Sequence, residues 1–462
     1  MSLQKNQSKI LSIWQKYGPA LILVVMILIF WGFTVFIASN LGHDIVPDEP
    51  YHFEVSRNFS ATWGIPDPEP LTRASGSNIR RNPYLAYWLY GRALNLYNLI
   101  NPAASGWQQL VFLRLFNTIF SVGTVLFVYL ISKEWIKNRW WQLLPVFTLT
   151  NTLMFVLLSS GVNYDNPSNM LSTAAIFFLL RVLKKKSFVE NSLGWIICIA
   201  LGTWMKETIL PLALSMTIVW VVFIIKNRSV VSFVPSWNFK TVSLMVVLVL
   251  VLGANFSIYG INLIRYQSVT PSCRDLYSHE FCSNTPLAQR RANLALPEKP
   301  TMLEAFRQGY PEPIRYGFDI WIRAMLMKIF GIMGGQQFYY PINITYFHIL
   351  FYWMIALAIR YFRKTTFDIY SLSAILGFYT LTLFIKNYDT DLAYGFIQVA
   401  HQGRYIFPVI GIIFPLFSYG LYKVPNRLIQ FGTLFITLVL FAYSGPIRFL
   451  LYYQTVFADW FI

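Results

Sequence analysis

Long apolar runs alternate with short polar stretches along almost the whole length of the 462-residue chain. Several runs approach the roughly 20 residues that a helix needs to cross the hydrocarbon core of a bilayer. No segment of even 100 residues lacks such a run, which argues against a large soluble enzyme. The pattern predicts an all-α integral membrane protein, a single polytopic domain over residues 1–462 with about 11 transmembrane helices. We expect these helices at 19–40, 110–131, 141–160, 167–183, 193–205, 208–225, 241–264, 344–359, 369–386, 405–421 and 428–444.

Two polar stretches are much longer than the others and predict large loops at 41–107 and 265–343. In the first loop, Asn82 suits the cap of a helix and Pro83 its first turn, and several aromatic residues follow. We expect this helix to lie in the membrane interface, where aromatic side chains are favoured.

The stretch 318–335 in the second loop is ambiguous, because it is apolar but carries Arg323 and Lys328. If it spanned the membrane, the basic cluster at 360–364 would fall on the extracytoplasmic side, against the positive-inside rule. We therefore expect a re-entrant or interfacial helix at this position.

Composition and charge agree with a membrane protein, since 56% of the residues are hydrophobic and 12% are charged, against about 25% charged in soluble domains. Basic residues that flank spans on the cytoplasmic side explain the net charge of +17, so it does not indicate nucleic-acid binding. The basic tail at 1–17 predicts a cytoplasmic N-terminus and a first helix that is retained as an anchor. With this topology most acidic residues are extracytoplasmic, and we expect the functional surface there.

Asp48 and Glu49 stand side by side directly after the first apolar run, with His52 close behind them. Asp48 before Glu49-Pro50 is typical of a helix cap, which would explain Asp48 alone. If the helix forms, Asp48 and His52 lie one turn apart on the same face. The alternative to a cap is therefore a general base at the membrane surface, oriented by its neighbours.

Asp165 lies on the same side of the membrane, in the sequence Asn163-Tyr164-Asp165-Asn166 after the third predicted span. This composition favours an Asx-rich turn. The functional alternative is a second acid that faces the first.

Lys206 and Glu207 end the short fifth predicted span. A lysine at membrane depth is costly unless it is paired or hydrated. It is either a local interfacial charge paired with Glu207, or a cation that reaches a phosphate at the headgroup level.

His401-Gln402-Gly403-Arg404-Tyr405 directly precedes the tenth predicted span. Arg404 suits the oxygens of a lipid phosphate, although an Arg-Tyr pair is also a common interfacial anchor. Arg80 and Arg81 are likewise extracytoplasmic arginines that the positive-inside rule does not require, and they favour binding of phosphates or lipid headgroups.

Cys273 and Cys282 lie in one polar loop without the second ligand pair of a zinc site. A disulfide is expected if the loop faces an oxidising compartment, and two free thiols are the alternative. No Walker loop, GxGxxG, HExxH or GxSxG motif is present.

Four motifs together resemble the GT-C superfamily, which includes protein O-mannosyltransferases and the lipid A aminoarabinose transferase. In chain order they are Pro47-Asp48-Glu49-x-x-His52, Pro83-Tyr84-Leu85-x-Tyr87, Asp165 and Gln402-Gly403-Arg404-Tyr405. The first and last motifs are most similar to those of bacterial multi-pass proteins. The resemblance covers most of the chain through topology but only about twenty residues through specific motifs.

The resemblance implies an inverting glycosyltransferase with a polyprenyl-phosphate sugar donor, active on the extracytoplasmic face of a bacterial inner membrane. Asp48 would be the base, with Glu49 beside it and Asp165 as the second acid. Lys206 and Arg404 would hold the donor phosphate. No cofactor or metal is then required, although Glu49 and Asp165 could hold a divalent ion. Further substrate contacts would come from His52, Arg80, Arg81, Tyr84, Glu207, His401, Gln402 and Tyr405.

The expected acceptor is an extracytoplasmic glycan or glycolipid, such as an O-antigen type polysaccharide. The large soluble domain of oligosaccharyltransferases and the luminal insert of eukaryotic mannosyltransferases are missing, so protein O-glycosylation is the weaker alternative. A lipid or sugar transporter would be expected to show inverted repeats and charges at mid-membrane, and neither is seen. A non-catalytic assembly subunit would leave the placement of the extracytoplasmic charges unexplained.

Overall fold

The computed structural model describes residues 2–228, 238–295, 298–308, 312–334, 337–339, 344–361, 366–394 and 401–461. Nine stretches in these ranges are helices long and apolar enough to cross a membrane, and a bent helix pair makes a tenth. The chain is therefore a multi-pass helical membrane protein. The helices of its membrane part are Ser2–Asn40, Gly106–Trp135, Leu144–Thr150, Leu153–Ser159, Asp165–Leu183, Phe188–Met205, Leu210–Asn227, Phe239–Asn255, Ile261–Tyr266, Ile344–Tyr361, Phe367–Ala393, Ile410–Tyr422, Arg427–Ser444 and Pro446–Val456.

Two of the eleven predicted spans differ from simple membrane-crossing helices. The third is the bent pair, Trp141–Thr150 and Leu153–Ser159, whose axes meet at 66°. The fourth is the helix Asp165–Leu183, which is not among the helices apolar enough to qualify as a span.

The helix Asp165–Leu183 is polar because it is enclosed by protein. It packs most extensively against Phe188–Met205 and Gly106–Trp135, and Ser168, Ser172 and Thr173 on it are all fully buried. Small residues allow helices in membranes to approach closely, and hydroxyls can bond to the backbone of their own helix. As an example, Thr173 Oγ1 donates to the carbonyl oxygen of Asn169 at 2.7 Å.

The first large loop folds into helices, of which Glu49–Ser60 packs on Leu85–Ile100 and Leu85–Ile100 packs on the second span, Gly106–Trp135. The elements of this loop are Glu49–Ser60, Pro70–Ala74, a 3-10 turn at Ile79–Arg81, and Leu85–Ile100. The predicted cap at Asn82 is wrong by two residues, because Asn82 ends the 3-10 turn and Tyr84 occupies the cap of the next helix. Leu96, Leu99 and Ile100 are 62%, 79% and 77% exposed, as expected of a helix end that rests in a membrane interface.

The second large loop contains short helices and one hairpin. The stretch predicted to re-enter forms a π-helix, Tyr316–Trp321, that continues as Ile322–Phe330 and stops before the hairpin. This helix is not among those long enough to span. Arg363 and Lys364, which entered that prediction, lie outside the described residues. The other helices are Cys273–Leu276, His279–Ser283, Pro286–Leu294, Met302–Gln308 and Pro313–Arg315, and the antiparallel strands are Ile332–Gly334 and Gln337–Tyr339.

Candidate active site

Glu49 and Arg114 form a fully buried ion pair, which we call the anchor pair. Both side chains have 0% exposure, and the two bonds from the guanidinium to the carboxylate measure 2.5 and 2.8 Å. Arg114 also donates to the carbonyl oxygens of Ala38, Leu41 and Gly42, at 2.6 to 3.1 Å. Carbonyls at the end of a helix lack intrahelical partners, so the anchor pair joins the end of the first span to the start of Glu49–Ser60.

The anchor pair also fixes the segment that carries Asp165. Glu49 Oε1 accepts a bond of 2.8 Å from the backbone N–H of Val162. Gly161 lies so close to Val46 that a Cβ on the glycine would come within 2.6 Å of that side chain. The backbone before Asp48 and the backbone before Asp165 are therefore held against each other.

Asp48 sits at the cap position of Glu49–Ser60, but its side chain does not cap the helix. Its backbone is left-handed, with φ of 62°, and its carboxylate, 58% exposed, accepts a bond of 2.5 Å from Arg404. Partial burial alone would raise the pKa of Asp48, but the Arg404 guanidinium outweighs it and holds that pKa below its usual value. The carboxylate is thus ionised and accessible.

Asp165, Lys206 and Arg404 complete the cluster, and with Asp48 we call these four residues the charge quartet. Lys206 donates to Asp165 Oδ1, and Arg404 Nη1 lies 3.6 Å from Asp165 Oδ2. The side chains of Asp165, Lys206 and Arg404 are 3%, 6% and 3% exposed. Two acids and two cations balance, and Asp48 is the most exposed member.

Aromatic rings surround the cations of the quartet. The Lys206 ammonium lies 4.6 Å from the centre of the Tyr164 ring and 5.1 Å from that of Tyr405. The Arg404 guanidinium lies 5.8 Å from the Tyr405 ring. Such cation–π contacts lower the cost of keeping the cations out of water.

His52 is buried beside the quartet, one turn after Asp48. Its Nδ1 is 2.9 Å from the hydroxyl of Tyr87, and its ring packs edge-on against Tyr164 at 4.5 Å. Burial lowers the pKa of His52 to about 4, because the imidazolium loses its hydration. The ring is therefore neutral near pH 7.

Several polar atoms around the quartet have no hydrogen-bond partner among the described residues. They include Nε2 of His52, Oδ2 of Asp165, Oε1 of Gln402 and Nε of Arg404. Buried polar atoms are normally paired, and an unpaired one needs an explanation such as an absent ligand or water. Two of these atoms, Oδ2 of Asp165 and Nε of Arg404, belong to the quartet, which can therefore accept and donate further hydrogen bonds.

Arg80, Arg81 and Tyr84 line an open cavity of about 270 Å³, together with Ile65 and Ser257. Arg80 pairs with Asp67 at 3.1 Å. The Tyr84 ring lies 5.7 Å from the ring of Trp204, two residues before Lys206. One wall of the cavity thus contacts the helix that ends just before Lys206, and two guanidinium groups line the cavity.

The remaining residues singled out from the sequence lie elsewhere. Glu207 is exposed and makes no ion pair with the described residues, Lys206 included. His401 is fully buried and paired with Asp391 at 2.9 Å. Cys273 and Cys282 form a disulfide.

The two carboxylates proposed as possible metal ligands are already engaged by cations. Glu49 is bound by Arg114, and Asp165 by Lys206. In the described part of the chain, no group of three or more His, Cys, Asp or Glu is placed to hold a metal ion.

Sequence reasoning missed Arg114 and Asn117, which face the site from the second span. Arg114 was detectable as the one charged residue between positions 110 and 131, since ionisable residues inside spans are expensive and usually have a role. Asn117 Nδ2 bonds to the carbonyl oxygen of Gly161 at 2.5 Å. Nothing in the local sequence distinguishes Asn117 from an asparagine that packs between helices.

Residues 105–252 match a sequence family described as dolichyl-phosphate-mannose-protein mannosyltransferase. No curated protein matches the chain. This family match includes Asp165 and Lys206 of the quartet.

Two solved structures resemble the chain over most of its length. The oligosaccharyltransferase of Archaeoglobus fulgidus in its apo form is 14% identical, with a TM-score of 0.52, and the match covers 94% of this chain and 55% of that one. ArnT from Cupriavidus metallidurans, bound to undecaprenyl phosphate, is 14% identical with a TM-score of 0.46, covering 92% and 64%. The chain spans less than two thirds of the length of either protein. The chain therefore shares the all-α membrane fold of the archaeal oligosaccharyltransferase, which confirms the GT-C-like fold class predicted from the sequence.

Proposed function

We propose that this chain, which has the GT-C fold, is an inverting glycosyltransferase that uses a polyprenyl-phosphate sugar. The observation that carries the proposal is the charge quartet, in which an accessible carboxylate lies against two buried cations. The match of residues 105–252 to a family named for a lipid-phosphate sugar donor supports the same donor class.

The quartet has the groups that such a transfer needs. The acceptor hydroxyl attacks the anomeric carbon, its proton goes to Asp48, and the bond from that carbon to the phosphate oxygen breaks. The leaving polyprenyl phosphate is a stable anion, so it needs cations rather than a strong acid. Arg404 and Lys206 supply them, and a metal ion is not assigned a role. A single displacement inverts the anomeric carbon, since the sugar is never bonded to the enzyme.

Donor binding also frees the base. In the present structure Arg404 is bonded to Asp48, which lowers the basicity of the carboxylate. A donor phosphate that takes bonds from Arg404 would weaken this pairing and make Asp48 a better proton acceptor. The cavity at Arg80, Arg81 and Tyr84 is the place we assign to a second anionic or hydroxylated part of the substrates.

The proposed acceptor is an extracytoplasmic glycan or glycolipid of a bacterial inner membrane, such as an O-antigen type polysaccharide. The disulfide between Cys273 and Cys282 supports an oxidising location for the loops. In the variant Trp63→Cys, at a position whose native side chain is 76% exposed, the new thiol should react with a membrane-impermeant maleimide from the outside of intact cells. Labelling only after lysis would contradict this orientation.

The central experiment incubates purified protein with a panel of polyprenyl-phosphate sugars and acceptors and follows release of polyprenyl phosphate by mass spectrometry. Release that requires Asp48 and persists after chelation of divalent ions supports the proposal. Movement of an unchanged sugar lipid across reconstituted vesicles, with no release, would instead support a flippase. Sugar found on a peptide acceptor would support protein O-glycosylation.

A further inference from the structure

Four polar residues are buried together around His401, three residues before Arg404. The side chains of Asp391 and His401 have 0% exposure and meet at 2.9 Å. The Tyr316 hydroxyl donates to Asp391 Oδ2 at 2.7 Å and lies 2.6 Å from His401 Nε2. Lys328 is 7% exposed, and its ammonium donates to the carbonyl oxygen of His401 at 2.6 Å.

These residues come from three separate parts of the chain. Tyr316 and Lys328 lie in the helix 316–330, which overlaps the stretch expected to re-enter the membrane, and Asp391 lies near the end of the helix Phe367–Ala393. Burying charges is expensive unless each is paired. The cluster therefore fixes how these helices meet the segment that begins at His401.

The segment 401–405 is also held through its backbone. Lys328 binds the carbonyl oxygen of His401, and Tyr379 donates to that of Tyr405 at 2.9 Å. Gly403 lies directly on Lys328, because a Cβ on the glycine would come within 2.3 Å of the lysine carbonyl oxygen. Arg404 thus lies between two residues, Gly403 and Tyr405, whose backbone positions are fixed by contacts with neighbouring helices.

We infer that Asp391, His401, Tyr316 and Lys328 form a positioning cluster that sets Arg404 for binding a donor phosphate. None of the four is assigned a contact with substrate. The inference rests on the proposed function for the identity of the phosphate, but not for the placement of Arg404. It gives His401 a different role from the substrate contact expected from the sequence.

The test compares two buried carboxylates at opposite ends of one helix. Asp391→Leu removes the acceptor from the cluster. Asp368→Leu removes a carboxylate that is 6% exposed and accepts a bond from Trp135 at 2.8 Å, far from the quartet in sequence and contacts. Both variants should lose thermal stability, so this loss alone does not reveal positioning.

The discriminating readout is the affinity of folded protein for polyprenyl phosphate, measured with detergent-solubilised full-length chain. Asp391→Leu should weaken binding about 10- to 100-fold, as expected when a charge-assisted contact is lost, and Asp368→Leu should not change it. Asp391→Asn, which keeps one acceptor oxygen, should recover part of the affinity. Gly403→Ala should also weaken binding, because its Cβ displaces the backbone from Lys328.

A cryo-EM map of Asp391→Leu tests the inference without any ligand. The Arg404 guanidinium should leave hydrogen-bonding distance of Asp48. An unchanged Arg404–Asp48 contact in this map, or an affinity within about twofold of wild type, overturns the positioning role. If wild-type protein does not bind polyprenyl phosphate, the proposed function fails, and the position of Arg404 in the map still decides the inference.

Discussion

Asp48 and Glu49 are adjacent in sequence, but Asp48 belongs to the charge quartet and Glu49 to the anchor pair. The two groups differ in how many of their polar atoms have hydrogen-bond partners. Glu49 accepts two hydrogen bonds from the Arg114 guanidinium and one from a backbone N–H. The remaining N–H groups of Arg114 donate to three backbone carbonyls. In the quartet, Asp165 and Arg404 each keep a buried polar atom without a hydrogen bond.

The difference separates a structural ion pair from a binding site. A buried pair with every donor and acceptor used has nothing to offer a ligand, and losing one partner leaves an uncompensated charge. A buried cluster with unused atoms is costly by itself and gains most when a ligand supplies the missing partners. Glu49 thus supports Asp48 by holding the backbone, and Asp48 remains available for chemistry.

The largest expected effect is on activity in Asp48→Asn. The amide cannot accept the acceptor proton, so transfer should fall about 10²- to 10⁴-fold, the usual contribution of a general base. Apparent melting temperature should stay near the wild-type value, because the side chain is 58% exposed. Initial rates of polyprenyl phosphate release provide the measurement.

Asp44→Asn is the matched control for Asp48→Asn. Asp44 lies in the same loop, also has a positive φ, of 73°, and is 70% exposed, but makes no contact with the quartet among the bonds described. It should transfer sugar at close to the wild-type rate. Equal losses in both variants would remove Asp48 as the base.

The second effect is on stability in Glu49→Gln. Arg114 would remain buried without its counter-charge, which should cost about 3–5 kcal/mol. The double variant Glu49→Leu/Arg114→Met should recover only part of this loss, since it removes both charges together but leaves the carbonyls that Arg114 bound without a donor. Thermal unfolding in detergent measures the stability of wild type and of both variants. A stable but inactive Glu49→Gln protein would break the comparison and make Glu49 part of the chemistry.

The sequence predicted most of the fold because span length and hydropathy are local properties. Ten of the predicted spans correspond to the nine apolar helices and the bent pair. Hydropathy could not show that Asp165–Leu183 is enclosed by other helices. Its polar residues are compatible with burial only because neighbouring helices, which are distant in sequence, surround them.

Asp48, Asp165 and Arg404 were found in motifs and Lys206 as a charge at the end of a short span, but the contacts among these four residues were not predictable. Arg404 and Asp48 are 356 positions apart, and only the packing of helices brings them together. Asp48 is exposed and Glu49 is buried at the start of one helix, where Asp48 itself has a left-handed backbone. No local pattern specifies which of two adjacent acids faces the core.

The third prediction concerns Lys206, which tests whether the quartet is more than an ion pair. Lys206→Met should weaken polyprenyl phosphate binding about 10- to 100-fold, by loss of one charge-assisted contact. Asp165→Asn/Lys206→Met removes both charges of the buried pair. If Asp165 and Lys206 form only a structural ion pair, as Glu49 and Arg114 do, the double variant should bind polyprenyl phosphate like wild type. We expect it to recover stability without recovering affinity, as measured by titration with polyprenyl phosphate.

The smallest effect is a pH dependence of stability that His52 should cause. The pKa of His52 is lowered to about 4 in the folded protein because the ring is buried, whereas an unfolded chain has the usual value of about 6.5. Between these values the unfolded chain binds a proton that the folded protein does not, so stability falls as the pH falls. At pH near 5 the loss should be about 2 kcal/mol.

His52→Phe keeps a buried ring beside Tyr164 but cannot take up a proton. Its stability should fall less than that of wild type between pH 7 and about pH 5, even though its loss of the Tyr87 bond lowers stability at both. His279→Phe, at an exposed loop position, should retain the wild-type pH dependence. An equal drop in apparent melting temperature on acidification for wild type, His52→Phe and His279→Phe would show that burial does not hold His52 neutral. The His52 ring would then have to be treated as a possible positive charge next to Asp48.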